Sequence, residues 1–345
     1  MTLTFHPDIR DNEKQWIKLQ PEFEDAGYQF RPRFRPGWTP SWPDASSRHD
    51  HEDSNQLEYS NVIDAVRVRD GVRVAIKMIS LSVHPEEARL TEILGTEPDS
   101  PVVPVLDRLT FPSHPDLVFL VLQELVPWDR RCFKRVDEVL DFVKQLLSGL
   151  AFFHTNHISH GDICASNIMM DGLHFFEHEP HPAALWRQRA DYKLLTRMRD
   201  TVPLYPKFYF IDCGLSLHHP PPGRLVIDGP YGQDMTVPEF RSSQWNDPFK
   251  VDLWSMGRLL LVYVVDAYKL NLLRPLVEAL RQVDPNQRMP VEYALQFFNE
   301  LVAQLSPEEL TAPIRPDAKY SLYDALFAEL QAAMEMNDRA TVQFS

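Results

Sequence analysis

Between positions 160 and 170 the chain reads His-Gly-Asp-Ile-Cys-Ala-Ser-Asn-Ile-Met-Met. Asp162 and Asn167 stand five positions apart in what reads as a strand edge and a turn. A loop of this make-up suits phosphoryl transfer from a nucleotide. One carboxylate orients the acceptor hydroxyl, and a nearby amide oxygen holds a divalent cation. Three fixed positions recur by chance, and a buried Asp–Asn pair is often a plain polar turn. The weight therefore rests on what stands to either side.

Upstream, Val74-Ala75-Ile76-Lys77 is an apolar strand ending in a lysine, a pattern that offers a cation to nucleotide phosphates. Taken alone, that lysine reads equally as a charge on an edge strand. Residues 84–94 follow, with Leu90, Ile93 and Leu94 at helical spacing and Glu86 and Glu87 in the first turn. A buried lysine needs an acidic partner, and Glu87 is the better placed, three before Leu90 and seven before Leu94. Downstream, Phe208-Tyr209-Phe210-Ile211-Asp212-Cys213-Gly214 is an aromatic strand stopping at an acid, which fits a metal-binding aspartate at a sharp turn. Val237-Pro238-Glu239, then Asp252 to Gly257, then Asp284-Pro285-Asn286-Gln287-Arg288 complete the series.

In this order the segments resemble the eukaryotic protein kinase superfamily, from about residue 60 to about residue 305. Residues 64–71, the long insert behind the catalytic loop, and residues 247–254 look most like protein-kinase-domain proteins of mushroom-forming fungi. The resemblance implies an α+β, bilobal protein-kinase-like fold with a small β-rich N-lobe and a larger helical C-lobe. It also implies ATP and Mg2+ as cofactors and Ser/Thr of a protein as phosphoacceptor. By the same resemblance, Lys77 meets the α/β phosphates and Glu87 holds it. Asp162 faces the acceptor, while Asn167 and Asp212 bind magnesium. The backbone around Glu124 and Val126 meets adenine, Glu239 and Arg288 form a buried pair, and Asp252 braces the catalytic loop.

Four departures from the family pattern bear on activity. No glycine lies between Gly37 and Gly71, so the glycine-rich lid over the phosphates is missing. Gly161 replaces the arginine that reads an activation-loop phosphate. Cys164 and Ser166 stand where a basic residue would lie near the γ-phosphate, and Cys213 replaces the phenylalanine of the metal motif. Two alternatives follow. One is a pseudokinase acting as a nucleotide- or protein-binding module. The other is a small-molecule kinase of the aminoglycoside or choline type, whose loop is also spelled His-Gly-Asp but which lacks counterparts of Glu239, Asp252 and Arg288.

Bulk properties narrow the classes. A hydrophobic content of 44% and an aromatic content of 11% exclude wholesale disorder. A net charge of −14 argues against nucleic-acid partners and anionic membranes. Cys132, Cys164 and Cys213 are too few and too scattered for a disulfide framework or a zinc site. Residues 1–20 carry no secretory signal, and the longest apolar run, Leu259–Val265, is too short to span a bilayer. The expected compartment is the cytoplasm, with the nucleus left open; the expected partner is a protein substrate, and the oligomeric state is not legible.

Residues 1–56 are rich in proline and tryptophan and read as an extended arm, since Pro32, Pro36, Pro40 and Pro43 exclude helix and central strand. Phe34, Trp38 and Trp42 leave open whether part of it packs on the domain. Residues 57–126 form the expected N-lobe, with an Asp70-Gly71 hairpin, strands over Val102–Val105 and Leu117–Val126, and the hinge. Residues 127–305 form the expected C-lobe, opening on an amphipathic helix from Val136 to Phe153, with a buried helix at Leu253–Leu261 and an amphipathic one at Val291–Leu305. Residues 306–345 are expected as a helical extension containing Leu322–Met334. Asp212 follows Asp162 by 50 positions, so an insert, 171–207, interrupts the C-lobe. Its His174, His178 and His181 read as packed or solvated rather than metal-binding, because no fourth soft ligand is near and Pro180 breaks any helix. Its Arg187, Arg189, Lys193, Arg197 and Arg199 read as a solvated basic face. The sharper alternative is a local helix in which Lys193 and Arg197 supply the missing cation or hold an acidic substrate.

Overall fold

The computed structural model describes residues 5–130, 133–193, 205–220, 227–241 and 246–317. The fold is α+β, with seven α-helices among the described residues and a five-stranded antiparallel sheet. Two compact units divide it: Met1–Val126 together with Asp171–Val202, and Pro127–Met170 together with Pro203–Ser345. Among the described residues no helix is long and apolar enough to cross a membrane. Cys132, Arg197, Arg199 and the expected helix at Leu322–Met334 lie outside the described residues.

In the first unit the sheet runs in the order β1 (Tyr28–Phe30), β2 (Val62–Arg67), β3 (Val72–Ser80), β5 (Leu117–Gln123), β4 (Val105–Leu109). The β2–β3 turn is the Asp70-Gly71 hairpin, with Gly71 at φ +71°, a conformation glycine adopts without strain. Register puts Ile63 opposite Ile76 and Ile76 opposite Val121, so these residues share one face. That face carries the core and is covered by helix α1 (Asp11–Asp25) through Trp16, Leu19 and Phe23. The other face carries Asp64, Ala75 and Lys77, by the same alternation. Helix α2 (Pro85–Thr96) follows β3.

Here the structure departs from the extended arm expected over residues 1–56. Pro32, Pro36, Pro40 and Pro43 all lie beyond helix α1, which itself carries Pro21, and Trp16, Leu19 and Phe23, at i, i+3 and i+7, stripe a helix that the proline-rich composition of the segment concealed. Tyr28–Phe30 then adds a strand to the sheet beside β2. The Pro-rich stretch is fastened as well. Phe34 is fully buried in the core and Trp38 packs against it. Arg33 and Glu13 form an ion pair with no exposed surface on either side chain. Glu13 also accepts from the backbone N–H of Arg10 at 2.8 Å and of Leu57 at 3.0 Å, and the Arg33 guanidinium donates to the carbonyls of Asp8 and Asp53. Saturated hydrogen bonding of this kind is what makes a wholly buried pair tolerable. The strand expected at Val102–Val105 begins only at Val105, although Val102 and Val103 are buried.

The insert also behaves differently from a loop of the C-terminal half, because its charged groups find their partners in the first unit. Glu179 pairs with Arg73, His181 meets Glu52 at 2.9 Å, and Tyr192 hydrogen-bonds Asn55 at 2.8 Å. A short antiparallel pair, Pro180–His181 with Ala184–Gln188, shapes it. Among the described residues no group of three acidic, His or Cys side chains could hold a metal ion; His181 is instead a buried hydrogen-bonding group. Its Nδ1 accepts from the N–H of Ala183 at 3.2 Å, leaving Nε2–H to donate to Glu52.

This pair predicts an acid-sensitive insert. Burial is the main influence on His181 and lowers its pKa below the usual 6.5, outweighing Glu52. Burial opposes the charge on Glu52, but His181 and Arg31 together outweigh it and hold its pKa at about 2, against the usual 4.5. Both folded-state values are depressed. Stability from His181 is thus complete above about pH 6.5 and lost as pH falls below it, and that from Glu52 is lost from about pH 4.5 downward. Hydrogen exchange over residues 180–192 should speed up relative to the sheet between pH 7 and pH 5. His181→Gln, which keeps a donor without the titration, should flatten that change; an identical pH dependence in the variant would assign it elsewhere.

In the second unit, helix α3 (Val136–Thr155) buries Val139, Val143, Leu146, Leu147, Leu150 and Phe153. Helices α4 (Pro248–Leu260), α5 (Arg274–Leu280), α6 (Val291–Val302) and α7 (Pro307–Leu310) follow, and α4 is buried on most sides from Val251 to Leu260.

Candidate active site

Helix α3 ends at Thr155, His157 adopts φ +58°, and Ile158–Ser159 pairs antiparallel with Leu217–His218. The chain then enters the loop at His160 and leaves it along Ile168–Met170, which pairs with Phe208–Phe210. Asp252, on α4 and nearly fully buried, suspends the loop from beneath. Its two oxygens accept the backbone N–H groups of His160 at 2.8 Å and Gly161 at 2.9 Å, and His154 Nε2 lies 3.1 Å away. Gly161 sits at φ +81°, and a Cβ there would stand 2.4 Å from the Leu215 carbonyl oxygen. The loop therefore has no room for an arginine at this position.

His160 is completely buried between Phe153 and Phe210. Its Nδ1 accepts from the N–H of Asp162 and its Nε2 meets the Ile211 carbonyl, each at 3.2 Å, which specifies a neutral ring. Burial lowers its pKa against the opposing influence of Asp252 and Asp162. One imidazole thus ties the loop to the strand end that presents Asp212.

Asp162 and Asn167 meet directly. The Asn167 amide donates to the Asp162 carbonyl and to Asp162 Oδ2, both at 2.9 Å. With its NH2 committed, the Asn167 Oδ1 is left as an acceptor on the opposite side of the amide. The Ile211 N–H donates to the Asn167 carbonyl at 3.0 Å, so Asp212 follows immediately beside Asn167. Asp212 adopts the left-handed conformation, φ 64° and ψ 77°, and its Oδ1 accepts from the Gly214 N–H at 3.2 Å. A carboxylate and an amide oxygen on adjoining strand ends form a hard-oxygen donor set that fits Mg2+.

Asp162 has a further partner that sequence reasoning missed. The Gln233 N–H donates to Oδ1 at 2.6 Å and the Gln233 side-chain amide to Oδ2 at 3.1 Å. Ser166 Oγ donates to Gln233 Oε1 at 3.1 Å. Gly232 makes the approach possible: at φ +72°, its missing Cβ would lie 2.8 Å from the Gly161 carbonyl and 3.0 Å from Asp162 Oδ1. The one signal available in sequence was a Gly-Gln step shortly before Glu239.

Glu239 and Arg288 form a bidentate pair, at 2.8 Å for one arm and closely for the other, with Arg288 wholly buried. Arg288 also donates to the carbonyls of Lys250 and Gln282 and lies 5.1 Å above the Trp254 ring.

In the first unit, Lys77 and Glu87 form a close ion pair, both more than nine-tenths buried, while Glu86 pairs with Arg89 instead. Val126 is buried. The Glu124 carboxylate is engaged by Arg189 at 3.0 Å and Arg73 at 3.8 Å; burial nonetheless prevails and raises its pKa. Any part Glu124 plays in binding therefore falls to its backbone. Arg189 also lies 3.7 Å from Asp64, so it bridges two acids on the sheet face that carries Ala75 and Lys77. A cavity of about 540 Å3 adjoins it, lined in part by Arg31, Glu52, Asp64 and His181. Arg187 spends its charge on Asp50 and on the carbonyls of His49 and Tyr192, and Lys193 pairs with Asp191 outside any helix. Arg187 and Arg189 thus pair with acids of their own unit, whereas Lys193 stands exposed beside Asp191, and Arg197, its expected helical partner, lies outside the described residues. Comparison with known proteins finds no family model that matches the chain and no similar curated protein.

Proposed function

We propose that this chain is an ATP-dependent protein kinase that transfers the γ-phosphoryl group to Ser or Thr of a protein substrate, with a bilobal kinase-like fold. The reading rests above all on the catalytic loop: a carboxylate, Asp162, held by the amide of Asn167 in a loop suspended from Asp252. Phosphoryl transfer depends on positioning and charge neutralisation, and a carboxylate hydrogen-bonded on both oxygens is a positioned one. Asp162 would take the acceptor hydroxyl's hydrogen bond and, as transfer proceeds, its proton. Asn167 and Asp212 would hold Mg2+, which when bound neutralises phosphate charge. Lys77, kept charged by Glu87, would pair with the α/β phosphates. The Glu239–Arg288 pair favours a protein kinase over a small-molecule kinase, since the latter lack it.

A binding module without turnover is the second reading, and one observation favours it. Arg189 bridges Asp64 and Glu124 across the face that bears Lys77, where a nucleotide would have to compete with an ion-pair network. Thermal unfolding with ATP, with and without magnesium, separates the two. At about 100 times its Kd, ATP stabilises by about 2.7 kcal/mol. The kinase reading expects this in magnesium and expects Asp212→Ala to lose the magnesium-dependent part. A parent protein indifferent to ATP would leave the binding module standing.

A further inference from the structure

The catalytic loop carries Cys164 and Ser166 and no basic side chain between Asp162 and Asn167, so nothing within it steadies the Asp162 carboxylate by charge. We infer that Gln233 does this from outside the loop, as a positioning residue for Asp162; the inference rests on the phosphotransfer reading above. Among the described residues three donors reach the carboxylate. Oδ2 takes two of them, from Asn167 and the Gln233 side chain, and Oδ1 takes one, the Gln233 backbone N–H at 2.6 Å. A carboxylate oxygen accepts about two hydrogen bonds, so Oδ2 is filled and Oδ1 keeps one free direction. An acceptor hydroxyl therefore has a single line of approach to this carboxylate, along Oδ1.

Further contacts hold Gln233 itself. Ser166 Oγ donates to its Oε1, which turns the amide NH2 toward Asp162, and Cys164 Sγ lies 3.2 Å from the same hydroxyl. The two loop residues that stand in place of a cation are thus part of the arrangement that orients the amide. Gly232 admits the backbone to van der Waals range of Gly161 and Asp162, where any larger residue would collide. A neutral amide does by geometry what an ammonium would do by charge, and it leaves the carboxylate's own charge uncompensated for the acceptor proton.

The test is steady-state transfer from Mg-ATP to a degenerate Ser/Thr peptide library. Gln233→Ala should lower kcat about tenfold to a hundredfold, the scale of a small misplacement at a reacting group, with the KM for ATP unchanged. Gln233→Glu, which sets a carboxylate against Asp162, should lower it further. Gln233→Lys should restore it, because a donor returns. Gly232→Ala should mimic Gln233→Ala while leaving the amide chemistry intact. Parental kcat in Gln233→Ala, a rise in kcat, or a loss that appears equally in the KM for ATP and in melting temperature would each overturn the inference. Should the parent transfer no phosphate at all, the phosphotransfer reading fails and the contact is judged separately by amide exchange. The Gln233 N–H should be protected in the parent and exposed in Asp162→Ala, and an unprotected parent amide overturns the arrangement as well.

Discussion

Asp162→Asn is expected to abolish phosphoryl transfer while leaving the second unit folded. General base assistance of this kind contributes about 10²–10⁴-fold, and asparagine cannot accept the acceptor's proton. The local network explains why the fold should survive. Asparagine can keep its oxygen toward the Gln233 N–H and place its NH2 where Oδ2 stood. The Gln233 side chain can then turn its amide over, because the Ser166 hydroxyl accepts as readily as it donates. What is lost outright is the Asn167 hydrogen bond to Oδ2, about 1 kcal/mol. The measurement is turnover with any Ser/Thr peptide that the parent phosphorylates, beside the melting temperature of the variant. Undiminished turnover would remove Asp162 from the reaction, and the catalytic reading of the loop with it.

Arg288→Met is expected to destabilise the second unit by about 3–5 kcal/mol, the cost of stranding one member of a buried pair. Methionine approximates the aliphatic length of arginine, so most of the loss falls on charge and hydrogen bonding rather than volume. Glu239 would keep its charge with its bidentate partner gone, and the carbonyls of Lys250 and Gln282 would lose their donor. The double variant Glu239→Leu, Arg288→Met should recover part of the loss, because the carboxylate that Arg288 neutralises is removed with it. A single variant unfolding at the same denaturant concentration as the parent would show that the pair contributes nothing. A protein kinase would then no longer be favoured over a small-molecule kinase by this pair.

Where periodicity spans several turns, the chain announces its own elements. The apolar stripe from Val136 to Phe153 predicts a helix, and the helix runs from Val136 to Thr155. Asp70-Gly71 predicts a hairpin turn, and β2 and β3 meet there. The α+β class follows from the same local signals. Residues that meet across short loops were legible too: Asp162 and Asn167 lie close in sequence, and a buried strand lysine asks for an acid on the next helix, although Lys77 stands inside β3 rather than at its end. Glu87 reaches Lys77 because it faces the packed side of α2, whereas Glu86, one residue earlier, points to Arg89.

What tertiary structure alone decided are meetings between distant segments whose local signals are weak or misleading. The stripe of Trp16, Leu19 and Phe23 is short and has Pro21 within it. It becomes a helix because the sheet face bearing Ile63, Val74, Ile76 and Val121 needs a cover, and because Glu13 finds Arg33 at no exposure. Charge alone does not say which basic residues of the insert find partners: Lys193 is solvated as expected, whereas Arg189 is claimed by Glu124 and Asp64, which lie far from it in sequence. Gln233 stands 71 positions from Asp162, and an amide in a loop has no periodicity to betray it. Local sequence determines which backbone conformations are cheap, and so it sets the elements and the loop chemistry. Which side chain completes a buried charge depends on where the folded chain brings two separate segments together, and there the cost of an unpaired group, not propensity, decides.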